Sequence, residues 1–239
     1  MARHGQQNIS QPIILALELS TMCGSIAIVC PQLCIYEQSL YSTSTHSKRL
    51  INQIDTALSE SALGWDDIGA IAVSLGPGSF TGLRIALGTV KGLTMALDKK
   101  MIGISTLAAL ARQMPRISQQ IRPILDARKK EVYTALYKYT DNGLLQQLCK
   151  PQVLSPEALI SLIEEPTFFI GDGISVYKTI IADNLGSLAQ FAPPEIYFPR
   201  AASVGMLALD KFLQSDFLDP AKAAPMYVRA SDAELNFGS

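Results

Sequence analysis

The sequence predicts an α/β fold of two similar lobes in tandem, with mixed sheets flanked by helices. Two observations carry this. The order strand, strand, strand, helix, strand, glycine turn, helix, strand reads twice along the 239 residues. The apolar residues, 48% of the chain, fall both in short runs that suit strands and at three- and four-residue spacings that suit helices. That apolar share suffices for a core in each half.

In the first half, Ile13 to Leu19 and Ser25 to Cys30 are apolar runs separated by turn residues, and Leu33 to Tyr41 follows Pro31-Gln32. Connections this short suit antiparallel neighbours. The period then changes: Leu50, Ile51, Ile54, Ala57 and Leu58 recur at helical spacing. Ala70 to Leu75 reads as a buried strand, Gly76 to Gly82 as a glycine-rich turn, Leu83 to Leu97 as a long helix, and Lys99 to Thr106 as holding a short strand.

The second half repeats the order. Ile121 to Ala127, Val132 to Tyr139 and Leu144 to Leu154 are three strands, and Ser155 with Pro156 opens a helix through Ile163. Thr167 to Ile170 is a strand that ends in Gly171-Asp172-Gly173. A helix over Val176 to Leu185, a short strand over Glu195 to Phe198 and a final helix over Ala201 to Leu213 complete it. The strand–helix–strand part demands a largely parallel core sheet with the hairpins on its antiparallel side. This is the order of a ribonuclease-H-like lobe, and its duplication is the plan of the actin-like ATPase, sugar-kinase and Hsp70 superfamily. Residues 1–12 are expected to form a flexible extension, 13–106 an N-terminal lobe with partner-binding helices, and 107–239 a C-terminal lobe. The last helix and tail are candidates to pack back on the first lobe.

Several function classes are excluded by composition. The formal charge is −1, so no global basic field grips nucleic acid. No apolar run approaches the ~20 residues of a membrane helix. Cys23, Cys30, Cys34 and Cys149 form no CxxC pair and suit reduced thiols in a cytoplasmic protein. The two histidines, His4 and His46, lie in no metal-binding spacing and supply no base for a nucleophilic triad. No catalytic, cofactor-binding or metal-binding residue is expected.

Two segments stand out. In SLGPGSFTGLR (74–84), Gly76, Gly78, Ser79 and Thr81 lie in a turn before a helix, where free amides and the helix dipole suit an anion. No Walker lysine follows, so a structural turn and an anion loop both stay open. Behind it, Gly88, Gly92 and Ala96 place small residues on one helix face. Each helical glycine costs ~1 kcal/mol relative to alanine, and close approach of a second helix is the natural reason. With the helix from His46 to Leu58 beside it, a partner interface is expected at His46, Leu50, Ile54, Leu58, Arg84, Gly88, Gly92 and Ala96. The charges of Asp126, Arg128 and Glu131 end a strand and read as a local ion-pair network.

Taken together, ILALELST (14–21), HSKRLI (46–51), SLGPGSFTGLRIALGTVKGL (74–93), GISTLAALA (103–111), PILDARKKEVYTALY (123–137), IGDG (170–173) and AAPMYVR (223–229) resemble the TsaB (YeaZ) family over nearly the whole chain. The resemblance implies a non-catalytic subunit in making threonylcarbamoyladenosine beside the anticodon of transfer RNA. It implies a heterodimer with a TsaD-like homologue, a TsaE-like ATPase docking on the pair, a homodimer in isolation, and only indirect contact with tRNA. The departures from ATP-binding relatives agree: Glu18-Leu19-Ser20-Thr21 replaces a DxGT-like turn, and Asp126-Ala127-Arg128 a DxG loop. Thr106 and Leu110 stand where TsaD-like relatives carry metal-binding histidines, which opposes a metallopeptidase. The alternative is an ATPase or small-molecule phosphotransferase using Ser79, Thr81, Arg84 and Asp126 around a phosphate.

Overall fold

Strand β1 (Ile13–Glu18) is buried at all six positions and so needs cover on both faces, which makes it a central strand. The computed structural model describes residues 11–42 and 47–228 and places β1 accordingly. On one side β2 (Cys23–Cys30) pairs antiparallel with β1 and with β3 (Leu33–Tyr41). On the other, β4 (Ile68–Gly76) pairs parallel with β1 and with β5 (Lys100–Ser105). The sheet order is β3-β2-β1-β4-β5.

The second sheet repeats it. Strands β6 (Gln120–Asp126), β7 (Val132–Tyr139), β8 (Leu145–Leu154), β9 (Thr167–Ile170) and β10 (Ala189–Phe191) stand in the order β8-β7-β6-β9-β10. Again the hairpin pairs are antiparallel and the crossovers parallel.

The helices complete five layers. Helices α1 (Ser47–Glu60) and α2 (Phe80–Leu97) cover the outer face of the first sheet, where Leu50, Ile54, Leu87 and Val90 join Leu15, Leu17 and Ile71 in one core. Helices α4 (Pro156–Ile160) and α5 (Ile174–Leu185) cover the outer face of the second. Between the sheets lie α3 (Thr106–Gln113) and α6 (Ala201–Leu213). Leu107, Leu110 and Ala111 of α3 pack on the second sheet, whereas Val204, Ala208 and Leu209 of α6 pack on the first. The free amides at the start of α6 are met from the first sheet: Ala201 N donates to Ser25 Oγ (3.1 Å) and Ala202 N to Glu37 Oε1 (3.0 Å). The tail follows, with Leu218 N donating to Met101 O (2.8 Å) and Met226 N to Leu75 O (2.6 Å).

Two elements differ from the sequence reading. Helix α3 is absent from the sequence reading: it spans only eight residues and starts at the residue after β5, with no turn residue between them to mark a new element. The expected strand at Glu195 to Phe198 is instead a 3-10 turn over Pro194–Ile196, and the edge strand lies earlier, at β10. Pro193 and Pro194 have no N–H to give a ladder, so pairing ends before them. The apolar Ile196 and Tyr197 plug the core beneath. Ser155 caps α4, accepting from Ala158 N (3.2 Å), but the α-helix stops at Ile160 rather than Ile163.

Candidate functional site

The C-terminal ends of β1 and β4 face those of β6 and β9 across a cleft of ≈ 330 Å³. Its first wall is Ser20 to Met22 and Gly78 to Phe80, and its second is Leu125 to Arg128 with Tyr133 and Asp172. The first wall is built by a close approach of two turns. Ser79 N donates to Ser20 O (2.7 Å), and Ser79 Oγ accepts from Gly82 N (3.3 Å) as the cap of α2. A Cβ added at Gly82 would stand 1.9 Å from Leu19 O, so only glycine fits there. The strand's own carbonyls thus sit against the start of α2, in the space an anion would take. Gly78 and Ser79 line the cleft; Gly76 and Thr81 do not.

Beneath that wall, Glu18 is fully buried. Its Oε1 accepts from Ser20 N (2.6 Å) and its Oε2 from the Ser74 hydroxyl. Burial pushes its carboxyl up, and hydrogen bonds from the Ser20 and Ser74 side chains and the Ser20 amide oppose the rise. In the second wall, Asp126 accepts from Arg128 N (2.9 Å) and pairs with Arg128 Nη1 (3.3 Å). Asp172 Oδ1 accepts from Asp126 N (3.0 Å). Burial lifts the Asp172 carboxyl to about 6, with neighbouring Asp126 adding to the rise and Arg128 opposing it. Sequence reasoning missed Asp172 as a cleft residue, although a carboxylate between two turn glycines was the available signal.

The four residues of the phosphotransferase alternative are not brought together. Ser79 and Asp126 face the cleft from opposite walls, whereas Arg84 lies on the outside of α2, with Cζ 3.6 Å from the Phe80 ring centroid and Nε donating to Tyr227 Oη (3.3 Å). Thr106 and Leu110 are wholly buried. Among the described residues no group of three His, Cys, Asp or Glu could hold a metal ion. Both histidines, including the expected interface residue His46, lie outside the described residues.

The outer helical layer also corrects the sequence reading. Leu50, Ile54 and Leu58 are 1%, 1% and 6% exposed and pack on their own sheet, so they cannot meet a partner in this fold. An amphipathic helix has one apolar face, and the sheet takes it. What α1 turns outward includes Arg49, Ile51, Asn52, Asp55 and Thr56. On α2, by contrast, Arg84, Gly88, Gly92 and Ala96 all face outward, and beyond the helix's own backbone and chain neighbours no atom lies within 4 Å of a Cβ built at either glycine. Met95, 72% exposed, stands beside them.

The family model described as TsaD, tRNA N6-adenosine threonylcarbamoyltransferase, matches residues 40–237. The tRNA threonylcarbamoyladenosine biosynthesis protein TsaB of Bacillus subtilis is 31% identical over 227 residues, 94% of this chain and 97% of that one. The chain belongs to the TsaB family. The TsaB of Haemophilus influenzae is likewise 31% identical, over 90% of this chain and 93% of its own. A solved structure, YeaZ from Pseudomonas aeruginosa, superposes with a TM-score of 0.78 at 27% identity, covering 90% of this chain and 99% of that one. The fold is thus shared with the YeaZ structure over nearly the whole of both chains. Among the described residues no helix is long and apolar enough to cross a membrane.

Proposed function

We propose that this chain is a partner subunit, without catalytic residues of its own, in the cytoplasmic assembly that makes threonylcarbamoyladenosine on tRNA. Its relatives carry that biosynthesis in their names. The observation that carries the reading is the open outward row Arg84, Gly88, Gly92, Ala96 on α2. Two helical glycines with empty space above them weaken the helix for no internal gain, so an external helix is the reason for them. The occupant is a TsaD-like homologue, whose related lobe offers a matching outer layer. In its absence a second copy takes the same face. A TsaE-like ATPase docks on the pair, and tRNA is met mainly by the partner, in keeping with the net charge of −1.

The interlobe cleft supports the absence of phosphoryl chemistry: carbonyls occupy the start of α2, and carboxylates line the opposite wall. The direct test is Gly92→Leu. It should abolish co-purification with the TsaD-like partner while leaving the melting temperature within a few degrees of wild type. Undiminished pairing would remove α2 from the interface.

A further inference from the structure

Helix α4, at five residues, leaves part of the outer face of the second sheet open, and Leu136 and Lys138 of β7 and Cys149 of β8 are half-buried. Beside them a cation is shut in. Arg122 of β6 is 4% exposed, and its Nε and Nη1 are buried without a hydrogen-bond partner. Among the described residues no carboxylate is paired with it. A buried charge without a counter-charge is strongly unfavourable, and a guanidinium has five N–H donors to satisfy. Arg122 therefore calls for an anion within reach of its side chain.

The strand register supplies one. Ile121 pairs with Tyr137, so Arg122 stands beside Leu136, and Leu136 is the register partner of Cys149. These side chains share the face on which Ile124 and Val132 pack with Leu159 of α4 and Ile181 of α5. Among the described residues the Cys149 thiolate is the one charge that acts on Arg122: burial pulls the guanidinium below its ordinary value, and the thiolate opposes the fall. A second donor meets the same sulfur, since Gln152 Nε2 donates to Cys149 Sγ. The thiol's own donor contact, to Lys150 O, is long at 3.5 Å. The other cysteines lack this setting. Cys30 is buried. Burial pushes the Cys23 and Cys34 thiols up, and the Glu37 carboxylate adds to both rises, with Arg200 opposing at Cys23.

We propose that Cys149 is a modification site, where a thiolate held by Arg122 and Gln152 exchanges with low-molecular-weight disulfides and carries a reversible mixed disulfide. The Cys149 sulfur attacks one sulfur of the disulfide, and a new S–S bond forms as the old one breaks. The departing sulfur keeps the electron pair as a thiolate and takes a proton from solvent, which has received the proton of Cys149. The small disulfide is the oxidant, and a free thiol reverses the step. This reaches beyond the subunit role, which makes no use of the outer face of the second lobe.

Incubating the full chain with glutathione disulfide at neutral pH, and following each cysteine by peptide mass mapping, tests it. Cys149 should form the mixed disulfide about tenfold faster than Cys34, although Cys34 is the more exposed. Arg122→Met should slow Cys149 about fivefold or more and leave Cys34 unchanged, whereas Arg122→Lys, which keeps the charge, should retain most of the rate. Gln152→Leu, nearer the surface, should also slow Cys149, and it carries the test if Arg122→Met does not fold. Faster reaction at Cys34 than at Cys149, or an unchanged Cys149 rate in either folded variant, would overturn the proposal.

Discussion

The two lobes share one strand order and one way of seating a helix, yet differ in what they present outside. In the first, Gly82 lets the start of α2 press on Leu19 O; in the second, Gly171 lets the turn before α5 press on Ile124 O, where a Cβ would stand 2.1 Å away. The same strand-to-helix junction has been kept in both halves because only glycine permits it. The outer helices have diverged instead. The first lobe carries helices of 14 and 18 residues, the second of 5 and 12. The longer outer layer, with an open glycine row on it, is the face on which we propose that the first lobe binds a partner. The junction fixes the fold, and the outer layer is where function varies.

The sharpest way to break that comparison is to fill the shared junction. Gly82→Ala and Gly171→Ala should each destabilise the chain by about 3 kcal/mol or more in urea denaturation, because each new Cβ meets backbone. At Gly171 φ is +123°, which adds strain for any side chain. Tolerance of one and not the other would show that the two junctions are not equivalent.

Next come the inner helix faces. Leu50→Ala in α1 and Leu159→Ala in α4 both empty fully packed core positions and should each cost ~2–5 kcal/mol. Equal loss in both would confirm that α1 spends its apolar face on its own sheet.

Smaller effects separate the two buried carboxyls. Asp172 rises from 3.8 to about 6 on folding. A carboxyl raised by folding adds stability that is complete below the unfolded value and is lost as pH rises through the folded one. Asp172→Asn should therefore be more stable than wild type above about pH 6, by ~2 kcal/mol, with the gain gone below about pH 4. Glu18 is raised by the same cause, so Glu18→Gln should move stability in the same direction in the first lobe. Chemical denaturation across pH checks both, and opposite signs would show that the hydrogen bonds to Glu18 outweigh its burial. The smallest effect lies outside: Gly88→Ala should stabilise the isolated chain by ~0.5–1 kcal/mol, since open space surrounds the new methyl.

Much of this was legible in the residues. The duplicated order, the hairpins, the glycine turns and the outward small-residue row follow from local period and from glycine spacing. Helix α3 was not, because it is only eight residues long and follows β5 with no turn residue to separate them. The edge strand was misplaced because Ile196, Tyr197 and Phe198 look like a strand, whereas the preceding prolines forbid the ladder. Leu50, Ile54 and Leu58 were assigned to a partner because a sequence shows that a helix has an apolar face but not which neighbour takes it.

By itself the sequence determined which backbone positions turn, which segments are strand or helix, and which residues are too small to fill space, since each depends on near neighbours in the chain. Only the tertiary structure decided that α3 lies between the sheets, packed mainly on the second, that the last helix, a candidate in sequence, lies on the first sheet, and that Asp172 joins Asp126 and Arg128 opposite Ser20. Those outcomes depend on contacts between residues far apart in the chain, where apolar faces choose among several possible partners and burial, not local pattern, sets the charge.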